Sequence, residues 1–317
     1  KLDIAMKLDP DNPNVRIARG YYYYHAFRDY ERALEDFEYA IEKLPGKKEY
    51  NEHIAYIQRR MGGFRECNKY LKTAFEYDSQ NSALLHNIAE SYICIHDFKT
   101  AEKYYLDVIK LAPDVDLYYR DFANLYYLKG EISKAIGIID DALKLITSDN
   151  LLFAKAWLQY INQSYEQSLK TLQSINLKIY KQQTQYTPIE ALIGMNYLRL
   201  GKLKQANEFL TSAKKILENE IEKNPEDIRI QLDYALILGY LGLKEEAIES
   251  AEFASSKIPI ELDAIIGVKH FISYTKVLSI VGDHVKAIEN LELMKNMPVG
   301  PTLESLKIDP IWDPLRK

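Results

Sequence analysis

Residues 85–113 read LHNIAESYICIHDFKTAEKYYLDVIKLAP, and this stretch decides the fold. Leu85, Ile88, Ala89 and Tyr92 recur at i, i+3, i+4 and i+7, which puts them on one face of an amphipathic helix. His96-Asp97-Phe98 is a tight break, and beyond it Ala101, Tyr105 and Val108 share one face of a second helix. Small residues seven apart let a neighbouring helix come close, and the bulky residue between them fills the gap. Pro113 ends the second helix, because proline lacks an N–H and clashes with the preceding turn. The stretch predicts a helical hairpin.

Working outward, the same hairpin returns every 34 residues. Ala33, Cys67, Ala101 and Ala135 hold the first small position, and Ala40, Ala74, Val108 and Ala142 the second. Phe37, Leu71, Tyr105 and Ile139 lie between them. Tyr30, Phe64, Phe98 and Ile132 precede each row by three, and Pro45, Ser79, Pro113 and Thr147 follow it. Gly62-Gly63-Phe64 and Gly130-Glu131-Ile132 supply two further turns. A fixed period of this length marks an array in which each unit covers the apolar face of the next.

These rows resemble the tetratricopeptide repeat family, whose pattern is W-x2-L-G-x2-Y, then A-x3-F, then P. Repeat one keeps Gly20, Tyr23, Ala33, Phe37, Ala40 and Pro45, with one additional residue in the His25–Arg28 turn. Repeat three keeps Ile88, Ala89, Tyr92, Ala101, Tyr105 and Pro113, and repeat four keeps Phe122, Ala123, Tyr126, Ala135 and Ala142. Repeat two carries Gln58 and Cys67 at the Tyr and Ala positions. The resemblance implies an all-α, right-handed α-solenoid of about seven hairpins with a C-terminal capping segment.

The expected organisation follows the register. Residues 1–12 are the end of a preceding repeat, with Ala5 and Pro10 in place, so the chain reads as a piece of a longer one. Residues 13–150 hold four regular repeats, and 151–187 a shortened hairpin with a polar, irregular kink over Lys178–Tyr186. Residues 188–297 hold three further hairpins, the second helix of the first running on to Asn224. In 298–317 two Asp-Pro steps stop any helix, and Leu306, Ile308, Ile311, Trp312 and Leu315 are expected to pack over the final hairpin. The ending Asp309-Pro310-Ile311-Trp312-Asp313-Pro314-Leu315-Arg316 also resembles one that follows the repeats of multidomain bacterial signalling proteins of cyclase, Ser/Thr kinase or winged-helix regulator type.

Composition narrows the function. Of 317 residues, 41 are Lys or Arg and 46 Asp or Glu, a net charge of −5 that gives no electrostatic reason to bind nucleic acid or anionic lipid. Two cysteines make no disulfide framework and fit a reducing cytoplasm. No run approaches the ~20 apolar residues that span a bilayer. Phosphate-binding glycine loops and the metal motif H-E-x-x-H are absent from the sequence, so neither cofactor nor metal nor catalysis is expected. Cys67 reads as core packing, and His96 and His284 as turn residues.

The expected function is therefore non-catalytic: a scaffold that binds a peptide or helix of a protein partner. In the family register the first helix of each pair lines the concave groove. That puts Tyr21, Tyr24, Glu52, Tyr56, Arg59, His86, Glu90, Arg120, Asn124 and Tyr127 on the binding face. Tyr23 should pack inward and Tyr22 should meet the neighbouring helix. Arg59 and Arg60 beside tyrosines could stack bases, but Glu49 and Glu52 share their helix and oppose that reading. Arg120 and Asn124 match two positions that hold a partner's C-terminal carboxylate in many such proteins, and the degenerate next hairpin offers no matching Asn or Lys. Glu90, read as an exposed groove residue, should tolerate Ala without loss of stability. Self-association into a homodimer is the alternative.

Overall fold

The computed structural model describes residues 1–47 and 50–316, so Glu49 lies outside the described residues. The chain divides into two compact units, Lys1–Ala112 with Ile260–Ile265, and Pro113–Pro259 with Ile266–Lys317. The first holds α1 (Leu2–Leu8), α2 (Pro13–Tyr22), α3 (Tyr30–Lys43), α4 (Tyr50–Arg60), α5 (Phe64–Tyr77), α6 (Ser82–Cys94) and α7 (Phe98–Leu111). The second holds α8 (Asp116–Leu128), α9 (Ile132–Leu143), α10 (Asp149–Ile161), α11 (Tyr165–Leu172), and the strands β1 (Ile179–Gln182) and β2 (Gln185–Pro188). It continues with α12 (Ile189–Arg199), α13 (Leu203–Lys223), α14 (Ile228–Tyr240), α15 (Lys244–Ser256), α16 (Ile266–Val281), α17 (His284–Met294) and α18 (Leu303–Ile308), then a 3₁₀ turn over Pro310–Arg316. From α2 to α17 the helices pair into eight hairpins among the described residues, against about seven expected, and α10 with the eight-residue α11 forms a shortened pair. The fold is an all-α solenoid of helical hairpins.

The 34-residue rows form its core. Ala33, Cys67, Ala101 and Ala135 have no exposed surface, nor do Leu71, Tyr105 and Ile139 between the small positions. Each turn inside a hairpin needs one left-handed residue, and Arg28, Gly62, His96 and Gly130 supply it at 34-residue steps, with φ between 53° and 85°. Asp29 and Asp97 then cap the following helices by accepting the N–H groups of Arg32 and Thr100. The additional residue of repeat one is absorbed upstream of its turn, in a π-helical turn over Tyr23–Phe27. In the tyrosine run Tyr22 stands 49% exposed, edge-on to Phe27.

Two segments depart from the expected outline. Lys178–Tyr186 is not merely irregular: β1 and β2 pair antiparallel, with Tyr180 opposite Thr187 and Lys181 opposite Tyr186. Tyr180 and Tyr186 are buried, and Asp233 of α14 fixes β2 by accepting the Tyr186 N–H at 2.9 Å and the Thr187 hydroxyl at 2.7 Å. The C-terminal segment does pack on α16 and α17, with Ile311 and Trp312 buried and Leu306, Ile308 and Leu315 half-buried. It also reaches back to α8, where the Thr302 hydroxyl donates to the Leu128 carbonyl at 2.5 Å. It is more than an end cap.

Candidate partner-binding face

The residues read as groove-lining are divided between the units: Tyr21 to Glu90 lie in the first, and Arg120, Asn124 and Tyr127 in the second. In the first unit the helices that open each hairpin, α2, α4 and α6, lie side by side in the stack, and their side chains touch. The Tyr21 hydroxyl meets His53 Nε2 at 2.6 Å, with the Tyr21 ring edge-on to Phe37. Burial raises the Tyr21 pKa above its usual value, and Tyr50 and Glu52 add to the rise. One step along, the Tyr56 hydroxyl donates to Glu52 and accepts from Asn87 Nδ2 at 3.0 Å. Arg59 lies over the Tyr56 ring and donates to Asn87 Oδ1 at 3.3 Å. Burial and the Glu52 carboxylate together hold the Tyr56 phenol far above its ordinary pKa. Glu52, Tyr56 and Arg59 thus form one fixed, half-buried strip with Asn87.

The other expected residues of this unit have different roles. Tyr24 accepts a 3.4 Å hydrogen bond from Arg60 Nε and leans on Tyr30. Arg60 is paired at 3.4 Å with Asp263, a buried carboxylate that also accepts the Tyr30 hydroxyl at 2.8 Å. Tyr24 therefore belongs in part to a structural network. His86 is buried, edge-on to Tyr105, and does not line an open face. Glu90 accepts from the hydroxyl of Tyr105, whose ring is fully buried. Glu90 is consequently no free groove residue: its oxygen satisfies a phenol that has no water to turn to.

In the second unit Arg120 is turned onto its own neighbour Asp121 at 3.0 Å. Burial opposes its charge, but Asp121 and Tyr180 outweigh that and raise its pKa. Asn124 is exposed. Tyr127 packs edge-on against Trp157 and donates to Asp309 at 3.2 Å. Its position is covered by the chain's own C-terminal segment.

Sequence reasoning missed His53, Asn87, Arg199 and Asp263. His53 and Asn87 carried a usable signal, since they stand 34 residues apart and one residue after Glu52 and His86. Nothing local marks Asp263 or Arg199, whose partners lie 203 and 114 residues away.

No family model and no curated protein sequence matches the chain. Several solved structures show a partial likeness to it. PilF of Pseudomonas aeruginosa is 14% identical over 69% of this chain and 95% of that one, with a TM-score of 0.49. TTC0263, a thermophilic tetratricopeptide protein of Thermus thermophilus, is 18% identical over 72% and 99%, with a TM-score of 0.42. MamA is 15% identical over 68% and 95%, with a TM-score of 0.38. The 34-residue rows and the buried small-residue contacts between successive helices carry the assignment by themselves: the fold of this chain is an array of tetratricopeptide-type helical hairpins.

Proposed function

We propose that the chain is a non-catalytic scaffold for protein–protein interaction, and that the face formed by α2, α4 and α6 takes an extended peptide or a helix of a partner. The observation that supports this most is the strip Glu52–Tyr56–Asn87–Arg59 with Tyr21–His53 beside it. Its aromatic and charged groups are held by one another before any partner arrives, which lowers the entropy lost on binding. Tyrosine and arginine are also the side chains that anchor interfaces, through large area at few rotamers and through directional charge. Both signs of charge are present, which suits a polar peptide better than a polyanion. Placement within a larger bacterial signalling protein in the cytoplasm belongs to the same proposal, and the Asp309–Arg316 ending supports it. No helix among the described residues is long and apolar enough to cross a membrane.

The test is a folded variant that strips the strip of its chemistry. Tyr24 is unsuitable because it holds Arg60, so Glu52→Gln, Tyr56→Ala and Arg59→Ala are combined. Against a partner isolated with the original chain, the variant should bind more weakly by ~2 kcal/mol or more, about thirtyfold. Unchanged affinity with unchanged helical circular dichroism excludes this face. Self-association is a second reading, favoured by Ile4 and Leu8, which stand exposed on α1. A concentration-independent monomer mass in light scattering removes it.

A further inference from the structure

We infer that the first-helix face of the second unit is a peptide-recognition groove, and that residues 302–316 of the same chain are its ligand, bound in cis. Four of the hairpin-opening helices, α8, α10, α12 and α16, contribute to one strip. Tyr127 on α8 packs on Trp157 of α10, and the Tyr160 hydroxyl of α10 accepts from Arg199 Nε of α12 at 3.3 Å. The segment lies against that strip and is held through backbone carbonyls as well as side chains. Arg199 donates one arm to the carbonyl of Pro310 and the other to Asp313 Oδ2 at 2.8 Å. Ser279 on α16 donates to the next carbonyl, that of Ile311, at 2.9 Å. Two successive backbone carbonyls held by side chains of two different helices is how a groove grips a chain; ordinary helix packing interlocks side chains and leaves carbonyls to their own helix.

The sequence of the segment suits this mode. Pro310 and Pro314 prevent an α-helix, so the stretch is a 3₁₀ turn whose carbonyls remain accessible to the groove. Trp312 and Ile311 are buried as apolar anchors, and Asp309 and Asp313 bracket them at a spacing of four. Asp309 meets Tyr127 and Asp313 meets Arg199, which fixes polarity and register. The ligand class is therefore an acidic, proline-interrupted peptide with a tryptophan before its second carboxylate. Tethering after α17 gives the segment an effective concentration that reaches the millimolar range for short links, so it masks the groove from free peptides.

Conversion from cis to trans tests the inference. A protease site is inserted in the full chain between the exposed Asn296 and its neighbour Met297, and the purified protein is cleaved. A fluorescent peptide of residues 300–316 should displace the severed segment, bind saturably to the cleaved chain and leave its helical circular dichroism intact. The uncleaved chain should show no binding at the same concentrations. Arg199→Ala in the cleaved chain, or Trp312→Ala in the peptide, should each weaken binding at least about tenfold. The inference falls if cleavage and competition unfold the second unit, if the severed segment resists a large excess of peptide, or if the uncleaved chain binds the peptide equally well.

Discussion

The two units use one repeat and finish it differently. In the first, residues 260–265 bring Asp263 to Tyr30 and Arg60 at the end of α4, while the strip of Tyr21, Glu52, Tyr56 and Arg59 keeps partly exposed. In the second, residues 302–316 lie along the corresponding strip, and Tyr127 and Arg199 are engaged by Asp309 and Asp313. Repeat arrays are approximated as sums of nearest-neighbour terms. Here each unit also owes part of its structure to a carboxylate-bearing segment remote in sequence. A solenoid can thus carry one face for others and keep another for itself.

The largest expected effect breaks the first half of that comparison. Asp263→Ala leaves Arg60 as an unpaired, largely buried cation and removes the acceptor of the Tyr30 hydroxyl. Removing one member of a buried pair costs about 3–5 kcal/mol. Both tryptophans, Trp157 and Trp312, lie in the second unit. Urea unfolding of the variant should therefore show an early loss of circular dichroism that tryptophan fluorescence does not follow. A single transition at the original midpoint means that the Asp263 contacts contribute nothing.

Alkali should act on both units with the same sign. Burial pushes the Tyr160 phenol up to about 12 against the opposing pull of Arg199, and burial with the nearby Asp263 raises Tyr30 further. The unfolded chain ionises its tyrosines near pH 10, so above that pH it binds fewer protons than the folded chain. The contribution is complete below pH 10 and is lost as pH rises through about 12. Urea midpoints should be flat from pH 8 to 10 and fall beyond, together with a late phenolate absorbance step. An absorbance step complete by pH 11 contradicts the burial of these phenols.

A smaller effect sharpens the reading of the exposed strip. Glu90→Ala removes the carboxylate that accepts from the buried Tyr105 hydroxyl and should cost about 1–3 kcal/mol, whereas Glu90→Gln keeps an acceptor and should cost less. Equal stability of the two variants would return Glu90 to the open face where the sequence reading put it. The smallest effect lies in a turn of the second unit. Gln163 is exposed at φ 59°, in the place that glycine fills in most other hairpins, so Gln163→Gly should stabilise by up to about 1 kcal/mol. A lowered melting temperature would show that its side chain is used.

Particular residues show how far the sequence reaches. Ala101, Tyr105 and Pro113 announce a hairpin because helix periodicity and close approach are local properties, and the 34-residue step multiplies that signal. Glu52, Tyr56 and Arg59 were legible as one strip, since residues three and four apart on a helix share a face. His86 and Glu90 share the same register yet are claimed by Tyr105, because a buried phenol must find an acceptor wherever the next helix offers one. Register gives the direction of a side chain and not what it will meet.

The hairpin, its period, its turns and its buried alanines were therefore determined by sequence alone, because each follows from φ/ψ limits and side-chain volumes within about forty residues. The tertiary structure alone decided the division of the even array at Ala112–Pro113, the Asp263 pair and the C-terminal segment lying on α8, α12 and α16. Those contacts join residues more than a hundred apart, except for the 32-residue step from Ser279 to Ile311, and their energy comes from satisfying buried charges and carbonyls. Any of several polar helix faces could in principle do that; only the folded geometry selects one.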